Sequence, residues 1–260
     1  MRHNAMYTVL FAGAVCVVCA ILVSSAAVSL ADLQDQNAKL DKQKNVLYAA
    51  GLAKPEDNLN PQQIEERFAT IKAVLVDLET AEEVSGVDAA TYDQQKAKND
   101  PAMSREAPPN PAVIKRLPKY AVVYHVLNDA GEVEMVVLPV EGYGLWSTLL
   151  GFLALDADTN TIRGITYYSH KETPGLGGEV DNPAWKALWP GRKAFDDNWR
   201  PAIEVIKAQA GAPEQDPHHV DGLTGATLTS RGVTHMMDFW LGENGFGPYL
   251  EKFRQARPVS

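Results

Sequence analysis

Between Tyr7 and Ala31 the chain carries no Asp, Glu, Lys, Arg or His. As a helix, such a stretch of 25 residues would extend roughly 37 Å at about 1.5 Å per residue. That exceeds the roughly 30 Å hydrocarbon core of a bilayer, so the segment is long enough to span one. The rival reading is a cleaved signal peptide, and Ser29-Leu30-Ala31 has the small-x-small form of a cleavage site. The apolar run is longer than a signal-peptide core of about 7–15 residues, and only Arg2 charges the residues before it. A retained anchor is the expectation. The flanking charges do not orient it: Arg2 precedes the span, while Lys39, Lys42 and Lys44 follow it, interleaved with Asp35 and Asp41.

Both cysteines, Cys16 and Cys19, lie inside this segment. Their C-x-x-C spacing within an apolar helix reads as two small buried or lipid-facing side chains rather than a redox motif. Two Cys also exclude a disulfide scaffold, a Cys-ligated iron–sulfur centre and a Cys₄ zinc site within the chain. With 24 Lys and Arg against 33 Asp and Glu, the net charge of −9 argues against nucleic-acid binding.

Leu33 to Leu52 reads as a helix continuing from the apolar span and ending near Gly51 and Pro55. Asn60-Pro61 starts a short helix with Ile64 and Phe68 on its apolar face. Residues 71–78 read as a strand. Residues 99–118 hold five prolines and no apolar period, which predicts a long surface loop or subdomain boundary. Tyr120–Leu127 and Val133–Val140 flank Asn128-Asp129-Ala130-Gly131, a hairpin signal; Thr148–Leu155 and Ile162–Ser169 flank a second. Asn182-Pro183 opens a short helix, and Ala202–Ala208 reads as a strand. A helix after Thr227 carries Val233, Met236, Met237 and Trp240 on one stripe, and a last helix carries Tyr249, Leu250 and Phe253. Runs of strands without βαβ alternation predict an α+β fold: one transmembrane helix, then a mostly antiparallel-sheet domain with flanking helices.

The stretch that carries chemistry is Asp221-Gly222-Leu223-Thr224-Gly225-Ala226-Thr227-Leu228-Thr229-Ser230. It is a glycine-containing turn, dense in hydroxyls, running into a helix N-terminus. Free N–H groups and the helix dipole there favour an anion such as a phosphate. Thr229 or Ser230 is a candidate cap. A Walker loop is excluded, because no Lys follows the glycine. A Thr hydroxyl is a poor nucleophile unless a base activates it, and the only bases nearby are His218 and His219. These adjacent histidines lack further ligands at metal-site spacing and read as polar loop residues, so no metal is expected. His235 lies off the apolar stripe and reads as surface.

Asp-x-x-Thr-Gly-Ala-Thr, at Asp221, Thr224, Gly225, Ala226 and Thr227, resembles the flavinylation sequence of the covalent FMN-binding domain family. The resemblance implies FMN joined by a phosphoester to Thr227, transferred by an external flavin transferase. His170-Lys171-Glu172-Thr173-Pro174-Gly175-Leu176-Gly177 and Gly142-Tyr143-Gly144-Leu145-Trp146 resemble two further loops of the same family. The implied flavin walls are Gly144, Leu145 and Trp146, then Glu172, Thr173, Leu176 and Gly177, with Leu228, Thr229 and Ser230 following the attachment turn. The flavin would carry the electron chemistry, and protein hydrogen bonds and charge would tune it. The role of Glu172 stays open between lining the ring and structure, and Asp221 is assigned to flavinylation rather than electron transfer.

From end to end the chain resembles the C-subunit family of Na⁺-translocating NADH:quinone oxidoreductases, including Gln43-Lys44-Asn45-Val46-Leu47 just after the span. That implies an electron relay in a bacterial inner membrane, from an intramembrane iron–sulfur centre to a flavin on the B subunit, with the D and E subunits as neighbours. No residues resemble a dinucleotide fingerprint, so NADH would bind elsewhere. The implied organisation is a cytoplasmic tip and anchor at 1–31, a membrane-proximal region at 32–118, and a periplasmic FMN-binding domain at 119–260. The G subunit of the related Rnf complex shares the flavin motifs; the Gln43-Lys44-Asn45 segment and the Pro-rich insert favour the first family. A membrane-anchored scaffold without cofactor is the alternative of another class, and it would be colourless.

Overall fold

The computed structural model describes residues 5–256; Arg2, used in the charge count, lies outside them. One continuous helix, α1 (Ala5–Ala49), contains the whole uncharged stretch. Its best apolar window has a mean hydropathy of 2.6 and none of it is buried. Val9, Leu10, Phe11, Ile21, Leu22 and Val23 are all exposed. A helix apolar on every side needs lipid or protein around it, and this one is long and apolar enough to cross a membrane. The chain divides into two units, Met1–Lys42 and Gln43–Ser260, so the last turns of α1 belong to the second.

That second unit is built on a six-stranded sheet. Its strands are β1 (Ile71–Asp77), β2 (Glu82–Val84), β5 (Tyr120–Leu127), β6 (Val133–Tyr143), β7 (Thr148–Asp156) and β8 (Ile162–Ser169). They lie in the order β2-β1-β5-β6-β7-β8, antiparallel throughout. β1 pairs with β5 along its full length, so the sheet draws strands from both sides of residue 118. β5 to β8 form a meander, with both expected hairpins plus a third between β6 and β7.

Three departures from the sequence reading stand out. The Pro-rich stretch is not a plain loop: β3 (Ser104–Glu106) and β4 (Arg116–Pro118) pair as a short antiparallel ribbon. Proline at strand ends leaves such a ribbon its few N–H donors, and three-residue strands give too little periodicity to read. A helix not anticipated, α3 (Gln94–Asn99), precedes it, capped by Asp93. The expected strand at Ala202–Ala208 shortens to β9 (Glu204–Ile206), which pairs in parallel with β10 (His219–Asp221). The remaining helices are α2 (Pro61–Phe68), α4 (Pro183–Lys186), α5 (Thr227–Leu241) and α6 (Gly247–Ala256).

Both faces of the sheet are covered. On one, Val123, Leu138, Leu153 and Tyr167 join the large core with Met236, Met237 and Trp240 of α5 and Leu250 and Phe253 of α6. His125 meets Tyr249 Oη of α6 at 2.7 Å. On the other, the rings of Phe68, Tyr124, Phe152 and Tyr168 form an aromatic chain. The end of α1 packs there: Thr166 donates to Asn45 Oδ1 at 3.1 Å, and Val46, Leu47 and Ala49 are fully buried. Burial on both faces is why β5 and β7 read as continuous apolar runs instead of alternating ones.

Gly164 makes the second interface possible. A Cβ there would lie 2.5 Å from the Ala49 carbonyl oxygen. Gly164→Ala is therefore expected to destabilise the domain by about 1–3 kcal/mol through overpacking, read as a lowered midpoint in denaturant titration of the full chain in detergent.

Candidate functional site

Three segments meet at one end of the sheet. β6 ends, β7 begins and β8 ends on the same edge, so the turn Gly144–Ser147 and the loop His170–Gly178 emerge side by side. The third segment is the turn Gly222–Ala226, which follows β10 and opens α5. α5 crosses the end of β6 at close range, because two contact positions are glycine. A Cβ on Gly232 would lie 2.4 Å from the Tyr143 carbonyl oxygen, and one on Gly142 would lie 2.7 Å from Met236 Cβ.

Glu172 joins the three. Its carboxylate, in a residue 5% exposed, accepts from the backbone N–H groups of Leu145, Trp146 and Ser147 at 3.1, 2.9 and 3.1 Å. It also accepts from Thr229 Oγ1 at 2.8 Å. Burial opposes the charged form, but these donors outweigh it and hold the carboxyl below its ordinary value. Gly144 and Gly177 leave room for it: a Cβ on either would come within 2.8 Å or less of a Glu172 oxygen. Lys171 N–H donates to Ser147 Oγ at 2.7 Å, adding a second tie.

The expected site residues fall into two groups. Thr224, Gly225, Thr227, Leu228, Thr173, Leu176, Leu145 and Trp146 present themselves to solvent. Trp146 is 66% exposed and Leu228 51%, large apolar groups with no cover. Leu176 lies against the Thr224–Thr227 turn, its Cδ2 being 3.0 Å from where a Gly225 Cβ would stand. Gly225 has φ +75, so a side chain is disfavoured there on backbone grounds as well.

The other group turns inward. Thr229 is fully buried and gives its hydroxyl to Glu172. Ser230 Oγ accepts from Leu223 N–H at 3.0 Å, closing the turn. Neither caps α5, contrary to expectation: the cap position is Ala226, which has no polar side chain to offer. The first N–H groups of α5 thus remain open to an external acceptor beside Thr227. Asp221 Oδ1 accepts from Ala210 N–H at 2.8 Å, so this carboxylate ties down the loop after β9. Thr173 contributes its carbonyl, which accepts from Leu176 and Gly178. Glu172, left open between two roles, is the hub of the constellation.

On the other flank of Thr227 runs an open groove of about 870 Å³. Thr224, Gly225 and Thr227 line it, as do Lys207, Arg231 and His235. These last three were missed in the sequence as site residues, and His235, expected on the surface, is half-buried and lines this open groove. Only the i,i+4 spacing of Thr227 and Arg231 pointed there. His218 Nδ1 lies 3.0 Å from the Lys193 carbonyl oxygen, and His219 Nδ1 lies 2.6 Å from Asp216.

Residues 144–242 match the FMN-binding domain family, a span that runs from the Gly144 turn to the end of α5. A curated relative from Yersinia pestis, the C subunit of its Na(+)-translocating NADH-quinone reductase, is 46% identical over 96% of this chain and 93% of its own. Its counterpart from Pseudomonas aeruginosa is 45% identical over 98% of both chains. The chain belongs to the C-subunit family of Na(+)-translocating NADH-quinone reductases. Among solved structures, NqrC of Shewanella oneidensis is similar at 35% identity and a TM-score of 0.76, covering 84% of this chain and 99% of that one. The C-subunit structure from Parabacteroides distasonis matches at 28% identity and 0.65, covering 85% of this chain and 96% of that one.

A C-subunit turn held by one buried carboxylate makes a clear prediction. Glu172→Gln leaves the shape but removes the charge from four donors, at a cost of about 1–3 kcal/mol. Because the folded carboxyl sits below its ordinary 4.5, its contribution is fully present above that value and is lost as pH falls through the depressed folded value. Stability of the parent should drop across that acid range, and the Glu172→Gln curve should be flatter there, in pH-dependent denaturant titrations.

Proposed function

We propose that this chain is the electron-carrying C subunit of a membrane Na⁺-pumping NADH:quinone reductase, with FMN attached through its phosphate to Thr227 Oγ1. The observation that carries the reading is the position of that hydroxyl. Thr227 is exposed at the start of an uncapped helix. Uncovered apolar side chains (Leu145, Trp146, Leu176, Leu228) lie on one flank and a polar groove on the other. An amphipathic cofactor with an apolar ring and an anionic tail fits that division. Bound FMN supplies one-electron redox chemistry, which no protein side chain here replaces.

The chain's own residues do the holding. Glu172 fixes the Leu145–Ser147 backbone and, through Thr229, the first turn of α5. Leu176 and Trp146 offer apolar surface to the ring, while Gly225 keeps the approach to Thr227 clear. Attachment requires Thr227 to lose its hydroxyl proton as an Oγ–P bond forms and the anhydride bond of a FAD donor breaks, releasing AMP. An external flavin transferase is the natural source of the base. The further proposal is an electron route from an intramembrane iron–sulfur centre to the flavin of the B subunit. The D and E subunits lie alongside, the span sits in a bacterial inner membrane, and the folded domain is in the periplasm.

Co-expression with a flavin transferase, followed by denaturing electrophoresis, tests the attachment. The parent band is expected to fluoresce as flavin, and Thr227→Val to lose all of that signal while keeping the parent's melting curve. A dark parent band, beside a control substrate that labels, would overturn the covalent reading in favour of a scaffold domain. Leu176→Ala should still label, with the flavin's fluorescence anisotropy lowered because one wall of the ring site is gone.

A further inference from the structure

The groove beside Thr227 is polarised along its length. Arg231 is one helical turn from Thr227 on α5, so their side chains are neighbours at about 5–6 Å between Cβ atoms. Lys207 enters from the opposite wall. Parallel pairing of β9 with β10 sets Ile206 against Asp221, and a Cβ on Gly222 would lie 3.4 Å from Lys207 Cα. Both cations are exposed. Both line the groove with Thr224 and Thr227, and neither takes part in an ion pair among the described residues.

The acidic residues stand at the other end. His235 and Asp238 follow Thr227 by eight and eleven residues, roughly 12 and 16 Å further along the helix axis. Glu204, His235 and Asp238 all line this same groove. The near end therefore presents two unpaired cations, Arg231 one turn from Thr227 and Lys207 beside the Gly222 turn, while Asp238 lies about three turns down the helix. None of Leu145, Trp146, Leu176 and Leu228 lines this groove.

We propose that Arg231 and Lys207 form a phosphate subsite that holds the phosphodiester monoanion linking the flavin to Thr227. Arg231 presents a planar fork of donors suited to two phosphate oxygens, and Lys207 a mobile point charge from across the groove. The inference rests on attachment at Thr227 and assigns the groove its first occupant.

The test uses the full chain in detergent, loaded by a flavin transferase with FAD, and reads the ³¹P resonance of the phosphodiester. In the folded parent this resonance should differ from its position in denaturant. The double variant Arg231→Gln/Lys207→Gln should shift it most of the way to the denatured position, while Arg231→Lys should hold it near the parent's. Asp238→Asn, at the far end, should leave it unmoved. Melting curves of all variants check the fold. A labelled, folded double variant whose resonance matches the parent's would overturn the subsite alone, even if transfer to it were slower. A parent that takes no label removes the attachment itself, and the subsite with it, so the two failures are separable.

Discussion

A carboxylate buried at the end of a sheet must find donors for both oxygens, and Glu172 finds them in two other segments of chain. Three come from consecutive N–H groups of the β6–β7 turn and one from the first turn of α5. No single tie is large; charge-assisted hydrogen bonds contribute about 1.5–3 kcal/mol each. Their effect lies in convergence, because one ionised group cannot satisfy four donors unless the turn, the loop and the helix all keep their places. Leu145, Trp146, Leu176 and Thr227, the residues proposed to face the cofactor, sit on those same three segments, so their spacing follows from the carboxylate beneath them.

The sheet makes that convergence possible. Its two faces are closed by different parts of the chain, α5 and α6 on one side and the end of α1 with α2 on the other. Burying both faces leaves the strand ends as the place where functional loops can emerge. Glycine at 142 and 232 then brings α5 onto β6 at backbone distance. A longer side chain at either position would lift the helix and carry Thr227 away from the Glu172 turn.

Thr227 consequently stands on a boundary between two chemistries. On one flank are apolar side chains with no protein cover, and on the other a groove with two unpaired cations at its near end. Exposed apolar clusters are unusual on a soluble surface and mark contact sites. An FMN attached through phosphate would cover the cluster with its ring and meet the cations with its anion. The same reading accounts for the missing cap on α5, whose first N–H groups stay open toward that oxygen.

Much of this was legible in the residues. The uncharged Tyr7–Ala31 stretch, the hairpins of the meander, the apolar stripe of α5 and the hydroxyl-rich turn at Thr224–Thr227 are local patterns, and local patterns survive in a sequence. The ribbon of β3 and β4 and the parallel pair β9–β10 were not legible as pairs. Their strands are three residues long, and long-range pairing leaves no period in so short a run. Glu172 could be named but not assigned, since its donors lie 25 to 57 residues away in sequence. Lys207 and Arg231 carried no mark in the sequence, because they share one groove only through the placement of β9 and α5. The sequence by itself determined which segments are apolar, where the chain turns and which hydroxyl is the attachment candidate. Only the tertiary structure decided which distant donors share one carboxylate and which charges face Thr227, because those depend on how the strands stack and how closely a helix can approach them.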